Sequence, residues 1–172
     1  SGSYSYRWQR STTAVTGPFS NITGATGQNY SPSALTQTTY YRRVVTSGSC
    51  ISISNVLTIT VNPVIANNTI TADQAICYNT APNQLAGSTP TGGNGTYTYI
   101  WQRSTAGSTG PFSDVAGATT INYQPGNLTQ DTWYRRIVTS LPCSDHTSNV
   151  IKITVSPEFT VSSFTTTEPT CH

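Results

Sequence analysis

The sequence predicts an all-β fold of antiparallel β-sandwich domains in tandem. Three observations point there: a long internal repeat, alternating apolar runs of strand length, and turns rich in Gly and Pro between them. The repeat shows in "YSYRWQRSTTAVTGPFS" at 4–20 and "YTYIWQRSTAGSTGPFS" at 97–113. Displaced by 93 positions, Trp8 falls on Trp101, Gly17-Pro18-Phe19 on Gly110-Pro111-Phe112, Tyr30 on Tyr123, Tyr41-Arg42-Arg43 on Tyr134-Arg135-Arg136, and Cys50 on Cys143. Of the first 50 residues, 30 are identical to their partners, so the two stretches are copies of one unit. One additional residue in the second copy shifts the offset to 94, where "SNVLTITVNP" (54–63) matches "SNVIKITVSP" (148–157) and Cys77 falls on Cys171. Solenoid repeats run at 20–50 residues. A period near 93 is instead long enough for a domain with its own core.

Pro63 and Pro157 each close an alternating apolar run, which sets the domain plan. Residues 64–157 form a complete unit, 1–63 the C-terminal two thirds of another, and 158–172 the start of a further one. The expected explanation is a window on a longer tandem array. The alternative is a homopolymeric fibre subunit, the tail of one chain completing the head of the next by strand addition. Against it, the counterpart of 79–93 is absent from both ends.

Within a unit each element reads as strand or turn. "TYTYIWQRS" alternates, placing Tyr97, Tyr99 and Trp101 on one face. "TWYRRIVTS" and "SNVIKITV" are two further strand runs, the latter aligning Ile151, Ile153 and Val155. Turn formers separate them: "STPTGGNG", "TAGSTGP", "QPGN" and "SLPCSDH". No stretch shows a helical period with caps. The order of a mid-strand tryptophan, then Gly117-Ala118-Thr119, Tyr123, and a Leu-Thr run ending at Tyr134 is similar to the immunoglobulin-like sandwich. Trp101 then belongs on strand C, Tyr134 on F and "SNVIKITV" on G, with Trp8, Trp101, Tyr41 and Tyr134 in the cores. The usual inter-sheet cysteine is replaced by Arg136. Cys77 and Cys143 are the expected disulfide, closing a 66-residue loop, with Cys50 and Cys171 paired to residues outside this chain.

Composition excludes several functions. Charged residues are 8% of the chain, aromatics 10%, and the net charge is +2. That combination is not disorder, and it leaves no electrostatic footprint for nucleic acid or acidic membranes. No apolar run reaches the length of a bilayer span. Four cysteines without Cys-x-x-Cys spacing favour disulfides and an oxidising, extracellular setting.

No catalytic site, metal site or cofactor is expected. Six acids occur, and none pairs consistently across the copies: Asp114 is matched by Asn21 and Asp131 by Thr38. A glycosidase needs two carboxylates held about 5–10 Å apart. Asp145 and His146 beside Cys143 supply too few ligands for zinc or calcium. Tyr97 and Tyr99 could form a sugar-stacking strip only if their face were the outer one, which burial of Trp101 would exclude. In each arginine pair, alternation sends one side chain inward, where its stem can pack over Trp or Tyr.

The run "ITADQAICYNTAPNQLAGSTPTGGNGTYTYIWQRS…GATTINYQPGNLTQDTWYRRIVTS…SNVIKITVSP" resembles the immunoglobulin-like repeats of very large cell-surface adhesins of Bacteroidota, exported by the type IX route and in part gliding-motility proteins. The resemblance implies a non-enzymatic stalk or filament body whose partners are neighbouring repeats or like subunits, with surface glycans met through other domains. The alternative of a different class is a carbohydrate-binding module of a secreted enzyme.

Overall fold

The all-β class holds. The computed structural model of the chain describes residues 3–158, and among these there are strands, turns and no helix. Two compact units divide at Pro63 and Val64.

In the first unit, β1 (Ser5–Ser11), β2 (Ser20–Asn21), β3 (Thr39–Ser47), β4 (Cys50–Ile53) and β5 (Leu57–Ile59) form one antiparallel sheet in the order β2-β1-β3-β4, with β5 also on β3. In the second, β6 (Gln74–Cys77), β7 (Thr98–Ser104), β8 (Ser113–Asp114), β9 (Thr132–Thr139), β10 (His146–Thr147) and β11 (Ile151–Ser156) form a sheet in the order β6-β11-β9-β7-β8, with β10 also on β9. The β6–β11 pair is parallel and the rest are antiparallel. Register is common to the copies: Trp8 faces Arg43 across β1–β3, and Trp101 faces Arg136 across β7–β9.

Period-two patterning sets the core of the second unit. Trp101, Tyr134, Ile151 and Ile153 point to the same side of the sheet and are buried, with Val155 packed against them. Over them lies a second layer of irregular extended segments, held by isolated bridges at Ala66–Thr91, Ile70–Gly87, Leu85–Tyr123 and Thr80–Leu128. It contributes Ile70, Leu85 and Leu128 to the same core. Burying such side chains stabilises by roughly 1.5–3 kcal/mol each, so this layer is what makes the unit a closed sandwich. Residues 1–63 match 94–157 and carry no counterpart of 64–93.

The expected Cys77–Cys143 disulfide is overturned. Cys77 ends β6 and faces Ser156 at the end of β11. Three residues earlier, Ile153 faces Thr132, the first residue of β9. Cys143 lies in the turn beyond the other end of β9, its N–H donating to the Ser140 carbonyl. At about 3.3 Å per residue the two cysteines stand more than about 20 Å apart, against the Cα separation below about 7 Å that a disulfide requires. The thiols of Cys50 and Cys77 are free and exposed. Cys171, expected to pair outside the chain, lies outside the described residues.

Candidate functional site

Alternation along β9 sends Arg135 outward and Arg136 inward. Arg135 lies over Phe112 at 4.2 Å, and its Nε donates to Gln102 Oε1 at 2.7 Å. Arg136 is fully buried beside Trp101, its guanidinium 5.2 Å from the Tyr99 ring centroid. A buried charge is costly unless its donors are satisfied, and here neutral oxygens of the second layer and its connections satisfy them. Nε and Nη2 both donate to Asn68 Oδ1, at 2.9 and 2.8 Å; Nη2 also donates to the Ser88 carbonyl at 2.9 Å, and Nη1 to the Ile121 carbonyl at 2.7 Å. No carboxylate takes part in these bonds. Desolvation lowers the pKa of Arg136 from its ordinary value, yet a guanidinium keeps its proton in proteins.

Two asparagines complete this lock between the layers. Asn68 Nδ2 returns a bond to the His146 carbonyl at 2.7 Å and a longer one to the Arg136 carbonyl at 3.3 Å. Asn149, just before β11, accepts from the Ile70 N–H at 2.8 Å and donates to the Ile70 carbonyl at 3.1 Å, as a neighbouring strand would. Gly87 is required for the fit: a Cβ there would lie 1.7 Å from Arg136 Nη1 and 2.5 Å from the Ile121 carbonyl oxygen.

The first unit repeats half of this arrangement. Arg42 lies over Phe19 at 4.1 Å, and its Nε donates to Gln9 Oε1 at 2.7 Å. Arg43 Nη1 donates to the Gln28 carbonyl at 2.7 Å, and its N–H donates to Ser54 Oγ at 2.9 Å, matching Arg136 with Ile121 and Ser148. The difference lies at Nε, which in Arg43 is buried and has no hydrogen-bond partner. Beside it Trp8, Tyr41, Arg43, Ser54, Asn55 and Leu57 line a cavity of about 290 Å³. Leu57 is 56% exposed where its counterpart Ile151 is 2%.

Of the four expected core aromatics, Trp101, Tyr134 and Tyr41 are buried. Trp8 is corrected to half-buried: its indole N–H still reaches a carbonyl, that of Gly27 at 3.1 Å, but the described residues of its unit include no counterpart of the segments that cover Trp101. The sugar-stacking strip is overturned as well. Trp101 is fully buried, so Tyr97 and Tyr99 on its face point inward and are half-buried, and the Tyr97 hydroxyl donates to the Gly92 carbonyl at 2.6 Å. Asp145 accepts from the Thr139 hydroxyl at 2.6 Å. Among the described residues no three His, Cys, Asp or Glu side chains gather as metal ligands.

Burial pushes the Tyr134 phenol up to about 12, with Tyr123 adding to the rise and Arg103 opposing it. A raised pKa means that the fold favours the neutral phenol. The associated stability is therefore complete below the unfolded value of about 10 and is lost as pH rises toward 12. Alkaline unfolding should show the second unit losing about 2 kcal/mol across that interval. Tyr134→Phe should flatten this segment of the pH profile; an unchanged slope would assign the alkaline loss elsewhere.

A family model described as a domain of unknown function, DUF8696, matches residues 1–63 and 66–157. The chain belongs to the DUF8696 family. No curated protein matches it. In this DUF8696 chain the matched segments are the two copies that share the Trp–Arg register, and the second match also takes in Asn68, Gly87 and Ser88. Sequence reasoning missed these three, because an uncharged asparagine, a glycine and a serine carbonyl leave no charge pattern to find. The available signal was the inward arginine itself, which demanded acceptors from whatever covered it.

Proposed function

We propose that this chain is a non-enzymatic structural module, tandem immunoglobulin-like sandwiches in the stalk or filament body of an extracellular cell-surface adhesin. The observation carrying the mechanical part is the parallel pairing of β6, the first regular strand of the second unit, with β11, its last, from Ile153↔Gln74 to Ser156↔Cys77. Tension applied through the two ends of that unit runs along these strands in opposite senses. It loads their hydrogen bonds together in shear, whereas an antiparallel hairpin would open one bond at a time. The lock of Arg136 and Asn68 adds a second tie near the entry of the unit. The extracellular setting is supported by the charge-poor, hydroxyl-rich composition and by the resemblance of the repeats. The Cys77–Cys143 pair no longer supports it, since the two stand too far apart to be bridged.

Single-molecule pulling on the chain, tethered at residues 64 and 157, tests the reading. One discrete rupture releasing roughly 300 Å of chain is expected, with the same length under reducing and oxidising conditions. Gradual extension without a force peak would remove the mechanical role.

A further inference from the structure

We propose that the outer face of the first unit, around Arg42, Arg7 and Asn21, binds the carboxylates of an acidic polysaccharide built of uronate sugars. This role goes beyond the structural one, and the second unit carries the same face in a form that rejects anions.

The net charge of +2 hides an uneven division. Residues 1–63 carry Arg7, Arg10, Arg42 and Arg43 and no Asp or Glu, whereas 64–157 balance four cations with Asp73, Asp114, Asp131 and Asp145. Two of those acids fall where the first unit is neutral: Asp114 is matched by Asn21 and Asp131 by Thr38. Alternation places Arg7, Gln9, Tyr40 and Arg42 on the side of the sheet away from Trp8 and Tyr41. In the second unit the irregular layer packs on the Trp101 side, so the opposite face stays open there too, and Ile100, the counterpart of Arg7, is 40% exposed.

On this face Arg42 is held ready. Its guanidinium lies over Phe19 at 4.1 Å, its Nε donates to Gln9 Oε1 at 2.7 Å, and Gln9 Nε2 donates in turn to Asn21 Oδ1 at 2.8 Å. Both Nη groups, and the Asn21 amide nitrogen, make no hydrogen bond among the described residues, which leaves them as donors for a ligand. The second unit repeats the relay, with Arg135 over Phe112 at 4.2 Å and bonds of 2.7 Å from Arg135 to Gln102 and from Gln102 to Asp114. There the last member is a carboxylate, which repels an incoming anion where Asn21 offers it a donor.

The guanidinium fork matches a carboxylate in bidentate fashion. Arg7 pairs with Val44 and Gln9 with Arg42, so the two arginines stand diagonally at about 7–8 Å. Two are too few for duplex nucleic acid, whose binders neutralise roughly 6–10 phosphates, and Arg42 covers the Phe19 ring on which a base would stack. Asn21 and the half-buried Tyr40, on the same face, add neutral groups suited to sugar hydroxyls.

The test is titration of the full chain with an oligogalacturonate at low salt, followed by NMR at the Nε–H groups of Arg42 and Arg135. Saturable shifts at Arg42 and little change at Arg135 are expected. Asn21→Asp should weaken binding about fivefold or more, and it is compatible with the fold because the second unit carries Asp at that position with the same bond to its glutamine. Asp114→Asn should bring Arg135 into the response, and the methyl-esterified oligosaccharide should not bind. The proposal is overturned by absence of saturation at millimolar ligand, by equal shifts at Arg42 and Arg135, by an unchanged affinity in Asn21→Asp, or by equal binding of the methyl ester. It is overturned in its partner if duplex DNA or anionic lipid vesicles bind more tightly than the oligogalacturonate at equal charge.

Discussion

Arg136→Met is expected to destabilise the second unit by about 3 kcal/mol, while Arg43→Met costs the first unit less than about 1 kcal/mol. Methionine conserves much of the stem volume, so the loss is not mainly a cavity. It arises because Asn68 Oδ1 and the carbonyls of Ser88 and Ile121 lose the donors that hold them in a dry interior, at about 1–3 kcal/mol for each acceptor left unpaired. Relief of the desolvated charge offsets part of that sum. In the first unit the same substitution removes the bond to Gln28 and frees a donor that was already unsatisfied, so gain and loss nearly cancel. Hydrogen exchange separates the effects, since amides of β9 report one unit and those of β3 the other. Equal protection losses in β3 and β9 would mean that the Asn68 acceptor contributes nothing. A gain in β9 would mean that the buried arginine is kept for specificity, at a cost in stability.

The sheet was legible in the sequence because its signals are local and doubled. Strict alternation in β7, β9 and β11 fixes which side chains share a face, and the second copy of each run confirms the phase. The inward turn of one arginine in each pair follows from the same alternation. The second layer was not legible in that way. Its segments around 65–71, 80–91 and 121–128 are joined by single bridges, too irregular to imprint a period of two, and part of it has no internal copy for comparison. The disulfide expectation failed for a related reason. Two cysteines flanking a unit look like partners along the chain, but β6 runs parallel to β11 and antiparallel to β9, and this carries Cys77 to the end of the sheet away from Cys143. Sequence separation gave no view of that direction. Trp8 matches Trp101 in its strand, its register and its indole hydrogen bond. The match fails only at the covering layer, which the first 63 residues do not contain.

That failure sets up the other large effect. Trp101→Ala should destabilise the second unit by about 3–5 kcal/mol, because the ring is fully buried and its truncation opens a cavity between two layers that cannot collapse around it. Its contacts include Tyr123 at 5.7 Å and, through its N–H, the Thr120 carbonyl at 2.9 Å. Trp8→Ala removes the equivalent contacts, Tyr30 at 5.8 Å and the Gly27 carbonyl at 3.1 Å. Part of that ring is already exposed, however, and the transfer term shrinks with the area that water already touches, to about 1–2 kcal/mol. For a domain of this size a loss of 3 kcal/mol lowers the melting temperature by more than about 12 °C, so calorimetry on the two variants resolves the difference. A Trp8→Ala cost as large as that of Trp101→Ala would mean that something covers the ring in solution.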